Sequence, residues 1–147
     1  MAFPEPEVGL VVSFSYLWSD EAAAGHVEGR KARPSAIVMA VRHDEEGPPQ
    51  VAVVPITHSP HSDPAAAIEM PPRVAEHLGL DSDPCWVVLD ELNVFSWPGY
   101  DLRQIPGQAG RYDYGFLPPR FFEALVRRIT ELRQAGRIEV TSRDDDA

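Results

Sequence analysis

Three apolar segments decide the fold: Leu10-Val11-Val12-Ser13-Phe14, Ala36-Ile37-Val38-Met39-Ala40-Val41 and Val54-Pro55-Ile56-Thr57. β-Branched and aromatic residues are common in them, and such residues fit the pleated surface of a β-strand. We therefore predict strands over residues 9–17, 35–42 and 51–58. The second and third are apolar almost throughout rather than alternating, which favours central positions in a sheet.

Two more strands and a helix follow along the chain. Residues 66–70 predict a short strand, and residues 85–97 predict a long one that bends near Asp90. Residues 117–134 give the clearest helix, which ends before Gly136. Apolar side chains recur there at helical spacing: Phe121, Phe122, Leu125, Val126, Ile129 and Leu132.

The remaining segments are predicted to be loops or short turns. Residues 18–33 form a long loop rich in alanine, glycine and charge, and a loop of that length is often functional. Residues 71–79 begin with two prolines and predict a helical turn. Residues 100–116 contain three glycines and three tyrosines, and we expect them to be irregular.

The strands follow one another without the helices that a parallel sheet needs between them. This order favours a mainly β protein of the α+β class, a small, strongly curved antiparallel sheet or barrel with a C-terminal helix packed against it. A chain of 147 residues has the size of one domain. We assign the domain to residues 8–137, an N-terminal arm to residues 1–7 and an acidic C-terminal tail to residues 138–147.

The net charge of -10 argues against broad, non-specific binding of nucleic acid, because phosphate contacts normally require a basic surface. An RNA-binding role therefore depends on a local basic spot, which Arg30, Lys31, Arg33 and Arg42 provide. Part of the acidity lies in the three consecutive aspartates at 144–146, which we expect to be solvated and mobile.

Several features favour the cytoplasm. No run of 18 apolar residues is present, and the N-terminal residues lack the basic and apolar regions of a signal peptide. Cys85 is the one cysteine, so it cannot form an intramolecular disulfide.

The first candidate site is the segment from Glu28 to Arg33-Pro34. Pro34 restricts Arg33 to extended conformations, so its guanidinium points in a fixed direction at the start of a strand. A guanidinium offers paired donors that match two phosphate oxygens, and Glu28 can orient it or act as a general base. The alternative is an ordinary surface ion pair.

The second candidate site is Thr57-His58, at the end of the third strand. A threonine hydroxyl can donate to phosphate, and an imidazole titrates near neutral pH and can transfer protons. The alternative is a strand threonine followed by a solvated histidine. His58, His61 and Asp63 are too closely spaced and too constrained by Pro60 for a convincing metal site. We predict no metal and no cofactor.

Asp90 and Glu91 interrupt an apolar strand, and alternation places one of them on the core side. A carboxylate there needs a partner or a raised pKa, which is common at functional sites; the alternative is an exposed bend. Five aromatic residues lie in or beside loops and fit base stacking, a protein interface or the core. They are Trp18, Trp97, Tyr100, Tyr112 and Tyr114.

The order of these motifs resembles the MazF/PemK (Kid-like) family of toxins from type II toxin–antitoxin pairs. Over roughly residues 8–132, the similar segments are Gly9-Leu-Val-Val, Glu28 five residues before Arg33-Pro34, Ala36-Ile-Val-Met and Val54-Pro-Ile-Thr57. The segment from Gly79-Leu80 to Phe95 and a closing helix complete the resemblance.

The resemblance implies an SH3-like (CcdB/MazF-type) barrel, a homodimer, a cognate antitoxin and metal-independent cleavage of single-stranded mRNA. A base activates the ribose 2′-oxygen, an arginine stabilises the phosphorane and an acid protonates the leaving 5′-oxygen. The positions matched to this chemistry are Glu28, Arg33 and Thr57.

The chain departs from the family pattern at three places. The loop before Arg33 is longer than in the family and lacks the Gln-x-Gly of its motif. His58 stands where the family has serine, and the segment from Glu91 through Asn93 to Ser96 stands where it has Gln-Ile-Arg-Thr-Ile-Asp. We predict His58 as a further catalytic residue. The predicted RNA contacts are Arg30, Lys31, Glu91 and Asn93. The alternative is a catalytically inactive barrel of this type that serves as a protein-binding module.

Overall fold

A computed structural model describes residues 3–26 and 31–144. Within them, eight strands belong to one mostly antiparallel sheet, and three α-helices accompany it. The strands are β1 (Leu10–Phe14), β2 (Arg33–Val41), β3 (Gln50–Thr57), β4 (Ala67–Glu69), β5 (Trp86–Val88), β6 (Glu91–Ser96), β7 (Asp113–Phe116) and β8 (Glu139–Ser142). The helices are α1 (Ser19–Ala23), α2 (Pro72–His77) and α3 (Pro119–Gln134).

The sheet is open. Its neighbouring strands run in the order β4-β5-β3-β2-β1-β7; β6 also pairs with β3, and β8 pairs with β6. The predicted α+β class, the antiparallel sheet and the C-terminal helix are confirmed. The predicted closed barrel is wrong, because among the described residues β4 and β7 do not pair with each other.

The predicted long strand over residues 85–97 is two strands with a corner between them. β5 pairs with Ile56–Thr57 at the end of β3, whereas β6 pairs with Gln50–Val53 at its start. Pro55 separates these two parts of β3 and has no N–H to donate to a ladder. Asp90 lies at the corner between β5 and β6.

The sheet is buried on both faces. Alternate residues of β1 enter different apolar clusters, since Val11 packs with α2 and α3 while Val12 and Phe14 pack with Phe95. This division follows from the period of two along a strand. α3 contributes its apolar stripe to the first cluster and covers one face of the sheet.

Three segments predicted to lack regular structure contain a helix or a strand. α1 forms inside the predicted 18–33 loop, and β8 forms inside the predicted acidic tail by pairing in parallel with β6. β7 likewise lies within the stretch expected to be irregular. None of the helices among the described residues is long and apolar enough to cross a membrane.

Asp144 anchors the chain after β8, although it was expected to be solvated and mobile. Its carboxylate accepts hydrogen bonds from the Ser96 N–H at 2.6 Å, the Ser96 hydroxyl at 2.8 Å and the Gln50 amide at 3.3 Å. Burial alone would raise the pKa of Asp144. The hydrogen bonds from Ser96 and Gln50 together lower it by more, so the pKa of Asp144 lies below its usual value.

We expect Asp144→Asn to reduce the free energy of unfolding by about 1 kcal/mol near neutral pH, because it weakens charge-assisted hydrogen bonds. A carboxyl group with a depressed folded pKa stabilises above its unfolded pKa of about 3.9, and this contribution disappears as the pH falls through the folded pKa. Urea unfolding of both proteins at about pH 7 and about pH 2 measures this. Equal stabilities at the higher pH, or an unchanged difference at the lower pH, would contradict this role.

Candidate active site

Two adjoining cavities form one continuous cleft at an end of the sheet. Their volumes are about 440 and 840 Å³, and Lys31, Arg33, Thr57 and Ser59 line both of them. We call this the Arg33 cleft. His58 lines the smaller cavity, which we call the His58 side, and Asp90 lines the larger, which we call the Asp90 side.

Strand register explains why Arg33 and Thr57 meet in this cleft. β2 and β3 run antiparallel with Ser35 opposite Pro55, so the first residue of β2 and the last of β3 reach the same end of the pair. β1 pairs with β2 so that Phe14 lies opposite Arg33. Two residues that are 24 positions apart in sequence therefore share one site, as the sequence predicted.

Arg33 lines the cleft and has one unpaired donor. Its guanidinium carbon lies 5.1 Å from the centroid of the Trp18 ring, a cation–π contact that restrains the group. Its Nε atom is buried and has no hydrogen-bond partner among the described residues. Burial lowers the pKa of Arg33, and Glu21 opposes this effect; an arginine nevertheless stays charged in proteins. Because Nε is enclosed by protein, an anion in the cleft would be bound by the terminal nitrogens of the guanidinium.

Thr57 and Ser59 add hydroxyl groups beside this guanidinium. The Thr57 hydroxyl oxygen accepts the Ser59 N–H at 3.2 Å. Accepting that bond uses a lone pair and leaves the hydroxyl proton of Thr57 for a ligand. Lys31 is exposed at the edge of the cleft and lines both of its sides.

His58 is held as a proton donor. Its Nδ1 lies 2.9 Å from the carbonyl oxygen of Pro84, and its Nε2 lies 3.1 Å from an Asp81 carboxylate oxygen. Both partners are acceptors, so both contacts are best satisfied by the protonated imidazole. The bond to Pro84 raises the pKa of His58; burial opposes this rise, and Asp81 adds to it.

Asp90 lies on the other side of the cleft. Its Oδ2 lies 2.9 Å from Nε2 of His61, while its Oδ1 is buried and has no partner among the described residues. The corner between β5 and β6 directs this carboxylate to the same cleft as Arg33. Because Oδ1 is enclosed by protein, a ligand in the cleft can reach the carboxylate only at Oδ2, which has a second lone pair beside the one that His61 occupies.

Glu91 lines the Asp90 side, but its carboxylate is already engaged. It accepts the Ser19 N–H at 2.9 Å and the Ser19 and Tyr16 hydroxyls at 3.3 Å each. Burial raises the pKa of Glu91, and the bonds from Ser19 and Tyr16 partly offset that rise. Glu91 therefore attaches the start of α1 to β6 and is not a free group for RNA.

Asn93 has a structural position rather than the RNA contact that was predicted. Its side chain is fully buried, and it accepts the Leu17 N–H at 2.9 Å and donates to the Leu17 carbonyl at 2.8 Å. These two bonds satisfy the amide and connect the end of β1 to β6. No atom of this side chain reaches the surface of the cleft.

We expect Asn93→Ala to lower the free energy of unfolding by about 2–3 kcal/mol, because it leaves the Leu17 N–H and carbonyl unpaired in the interior. Chemical denaturation measures this effect, with Asn93→Asp as a second variant that keeps the size of the side chain and loses its donor. If Asn93→Ala unfolds at the same denaturant concentration as the parent, this account of Asn93 is wrong.

Glu28 and Arg30 lie outside the described residues, so their predicted roles stay predictions. His58 and His61 do not converge, since each ring bonds a different carboxylate. In residues 3–26 and 31–144, no group of three or more histidine, cysteine, aspartate or glutamate side chains is arranged to hold a metal ion.

No family model, curated protein or solved structure matches this chain. The function of the chain is therefore inferred from the residues of the Arg33 cleft and from the resemblance of its sequence motifs to a known family.

The pairing of His61 with Asp90 was not predicted. The sequence singled out His61 as a weak metal ligand and Asp90 as an unusual carboxylate within an apolar stretch. It offered no reason to join two residues that are 29 positions apart. The available signal was Asp90 itself, because a charged residue between apolar strand segments requires a partner.

Proposed function

We propose that this chain is a metal-independent, sequence-selective endoribonuclease that cleaves single-stranded RNA and acts as a growth-inhibiting toxin of a type II toxin–antitoxin pair. One observation carries the proposal: Arg33 and Thr57, at the ends of adjacent strands, line one continuous cleft. A phosphodiester supplies the anionic oxygens that a guanidinium and a hydroxyl bind.

The cleft suggests how the proton transfers are divided. The carboxylate of Asp90 takes the proton of a ribose 2′-hydroxyl, and the 2′-oxygen attacks the adjacent phosphorus. Arg33 and Thr57 stabilise the charge that develops on the phosphoryl oxygens. The bond to the 5′-oxygen of the next nucleotide breaks, and His58 exchanges its bond to the exposed Asp81 carboxylate for one to that oxygen and gives it the proton.

This reaction produces a 2′,3′-cyclic phosphate and a 5′-hydroxyl, and it consumes no water. Asp90 gains one proton and His58 loses one, and exchange with solvent restores both. Arg33 and Thr57 line both sides of the cleft, while His58 and Asp90 each line one. Base and acid on either side of the phosphate suit an in-line displacement, which requires attacking and leaving oxygens on opposite sides.

Cleavage of a long single-stranded RNA by the purified protein, with and without excess EDTA, tests the proposal. We expect cleavage at a small number of sequences, unaffected by EDTA, with products that carry 2′,3′-cyclic phosphates. Intact RNA in the presence of a high concentration of folded protein would contradict the proposal. Loss of cleavage in EDTA would contradict its metal independence.

The resemblance to the MazF/PemK family extends the proposal to partners. A toxin of this kind acts on mRNA in the cytoplasm, forms a homodimer and is neutralised by a cognate antitoxin. Expression of the chain alone is then expected to stop growth, and co-expression with its antitoxin is expected to restore it.

The second candidate function is a non-catalytic module that binds a protein. Its support is the charge of the cleft, where carboxylates outnumber Lys31 and Arg33 and disfavour RNA. These carboxylates belong to Asp20, Glu21, Asp81, Asp90 and Glu91. Under this alternative the folded protein leaves RNA intact, and its cleft binds a basic segment of a partner.

A further inference from the structure

We propose that His61 is a positioning residue that holds the Asp90 carboxylate in the orientation required for proton transfer. This inference rests on the proposed ribonuclease function and adds a residue to it. The decisive observation is that both ring nitrogens of His61 have partners. Nδ1 lies 2.8 Å from the backbone nitrogen of Asp63, and Nε2 lies 2.9 Å from Oδ2 of Asp90.

These two partners fix the tautomer of His61. The Asp63 N–H donates to Nδ1, so Nδ1 carries a lone pair and the ring proton lies on Nε2. The Nε2–H group then donates to Oδ2 of Asp90. His61 cannot serve as the base itself, because neither nitrogen has a free lone pair.

The orientation of Asp90 follows from this bond. His61 holds Oδ2, and Oδ1 is enclosed by protein without a partner, so the lone pair that the cleft can reach is the second one on Oδ2. The side chains of His61 and Asp90 are 23% and 24% exposed, so the bond between them is partly shielded from competing water. Rotation of the carboxylate would break the bond and turn Oδ2 away from the cleft.

The loop that carries His61 is itself attached to the rest of the fold. Asp63 accepts the Ala65 N–H at 2.9 Å, which caps the short 3-10 helix Pro64–Ala66. The other carboxylate oxygen of Asp63 pairs with Arg137, just after α3. The backbone N–H that fixes the His61 ring therefore belongs to a residue held from two directions.

Replacement of His61 distinguishes a positioning role from a merely structural one. His61→Ala removes the donor to Asp90, whereas His61→Gln places an amide N–H near the former Nε2 position. We expect His61→Ala to lower kcat by about 10- to 100-fold with little change in KM, since a small misplacement of a catalytic group has effects of this size. His61→Gln is expected to recover most of that loss.

His77 provides a matched control, because it is an exposed histidine on α2 outside the Arg33 cleft. His77→Ala should leave kcat and KM unchanged. The inference is overturned if His61→Ala retains kcat within about twofold of the parent. It is also overturned if His61→Gln loses as much activity as His61→Ala while both variants unfold at the same temperature.

Nitrogen NMR of the wild-type protein separates this inference from the proposed function. We expect the Nδ1 shift of His61 to be that of an unprotonated ring nitrogen and the Nε2 shift to be that of a protonated one. The opposite tautomer would overturn the inference whether or not RNA is cleaved. A wild-type protein without ribonuclease activity but with the expected tautomer would overturn the catalytic role of the pair and the proposed function together.

Discussion

Arg33→Ala is expected to reduce the rate of RNA cleavage by about 10²- to 10³-fold, the usual loss when one preorganised donor to a developing oxyanion is removed. The reason is that Arg33 lines both sides of the cleft and is restrained there by a cation–π contact with Trp18. Initial rates on a short fluorescent oligoribonucleotide measure the effect. The same variant is expected to abolish growth inhibition.

Two further arginine variants define the cause of that loss. Arg33→Lys keeps the positive charge but loses the planar, paired donors, so we expect it to remain strongly impaired. Arg127→Ala removes an exposed arginine from α3, away from the cleft, and should cleave at the parental rate. If Arg33→Ala cleaves as fast as Arg127→Ala, the assignment of the phosphate site is wrong.

Asp90→Asn is expected to lower kcat by about 10²- to 10⁴-fold, the range for loss of a general base. Asparagine has the same shape and can still accept the His61 Nε2–H, so the effect should arise from chemistry rather than unfolding. Thermal unfolding of the variant checks this point. Single-turnover rates then report the chemical step without product release.

A modified leaving group separates the base from the acid. When sulfur replaces the bridging 5′-oxygen, the thiolate departs without a proton, so a variant that lacks the acid should recover activity and one that lacks the base should not. His58→Ala is therefore expected to improve on this substrate, and Asp90→Asn is not. The activity of Glu28→Gln should be compared with that of Asp90→Asn, because the sequence motif predicted Glu28 as the general base. Recovery of Asp90→Asn on the thio substrate would refute its role as base.

The parts of the fold set by local pattern were predictable. The β-branched segments predicted β2 and β3 to within two residues of their observed ends and β1 three residues too long, and the helical spacing from Phe121 to Leu132 predicted α3. The meeting of Arg33 with Thr57 also followed, since adjacent antiparallel strands bring the start of one to the end of the other. These features depend on neighbours in sequence or on consecutive strands.

Features that depend on distant pairing were not predictable. β8 is short and mostly exposed, so its composition gives little strand signal, and only its pairing with β6 makes it a strand. The choice between an open sheet and a closed barrel depends in the same way on which strand edges meet. α1 is a five-residue helix whose start is held by Glu91, more than seventy positions away.

The position of Asn93 in the family motif predicted its role less well than its burial does. Asn93 stands where the resembling family has arginine, and this suggested an RNA contact. Its side chain instead faces the interior and bonds Leu17, because the alternation of β6 directs residue 93 inward. Asp90 lies at a strand corner where alternation does not apply, which is why the sequence could not decide between Asp90 and Glu91.

The proposed attack of the ribose 2′-hydroxyl on phosphorus can be tested with one defined oligoribonucleotide, made with and without a single 2′-deoxy nucleotide at the cleaved position. We expect the all-ribose strand to be cut to a 2′,3′-cyclic phosphate and a 5′-hydroxyl, identified by mass spectrometry, and the 2′-deoxy strand to stay intact. Equal cleavage of both strands, or no cleavage of either by folded protein, would contradict it.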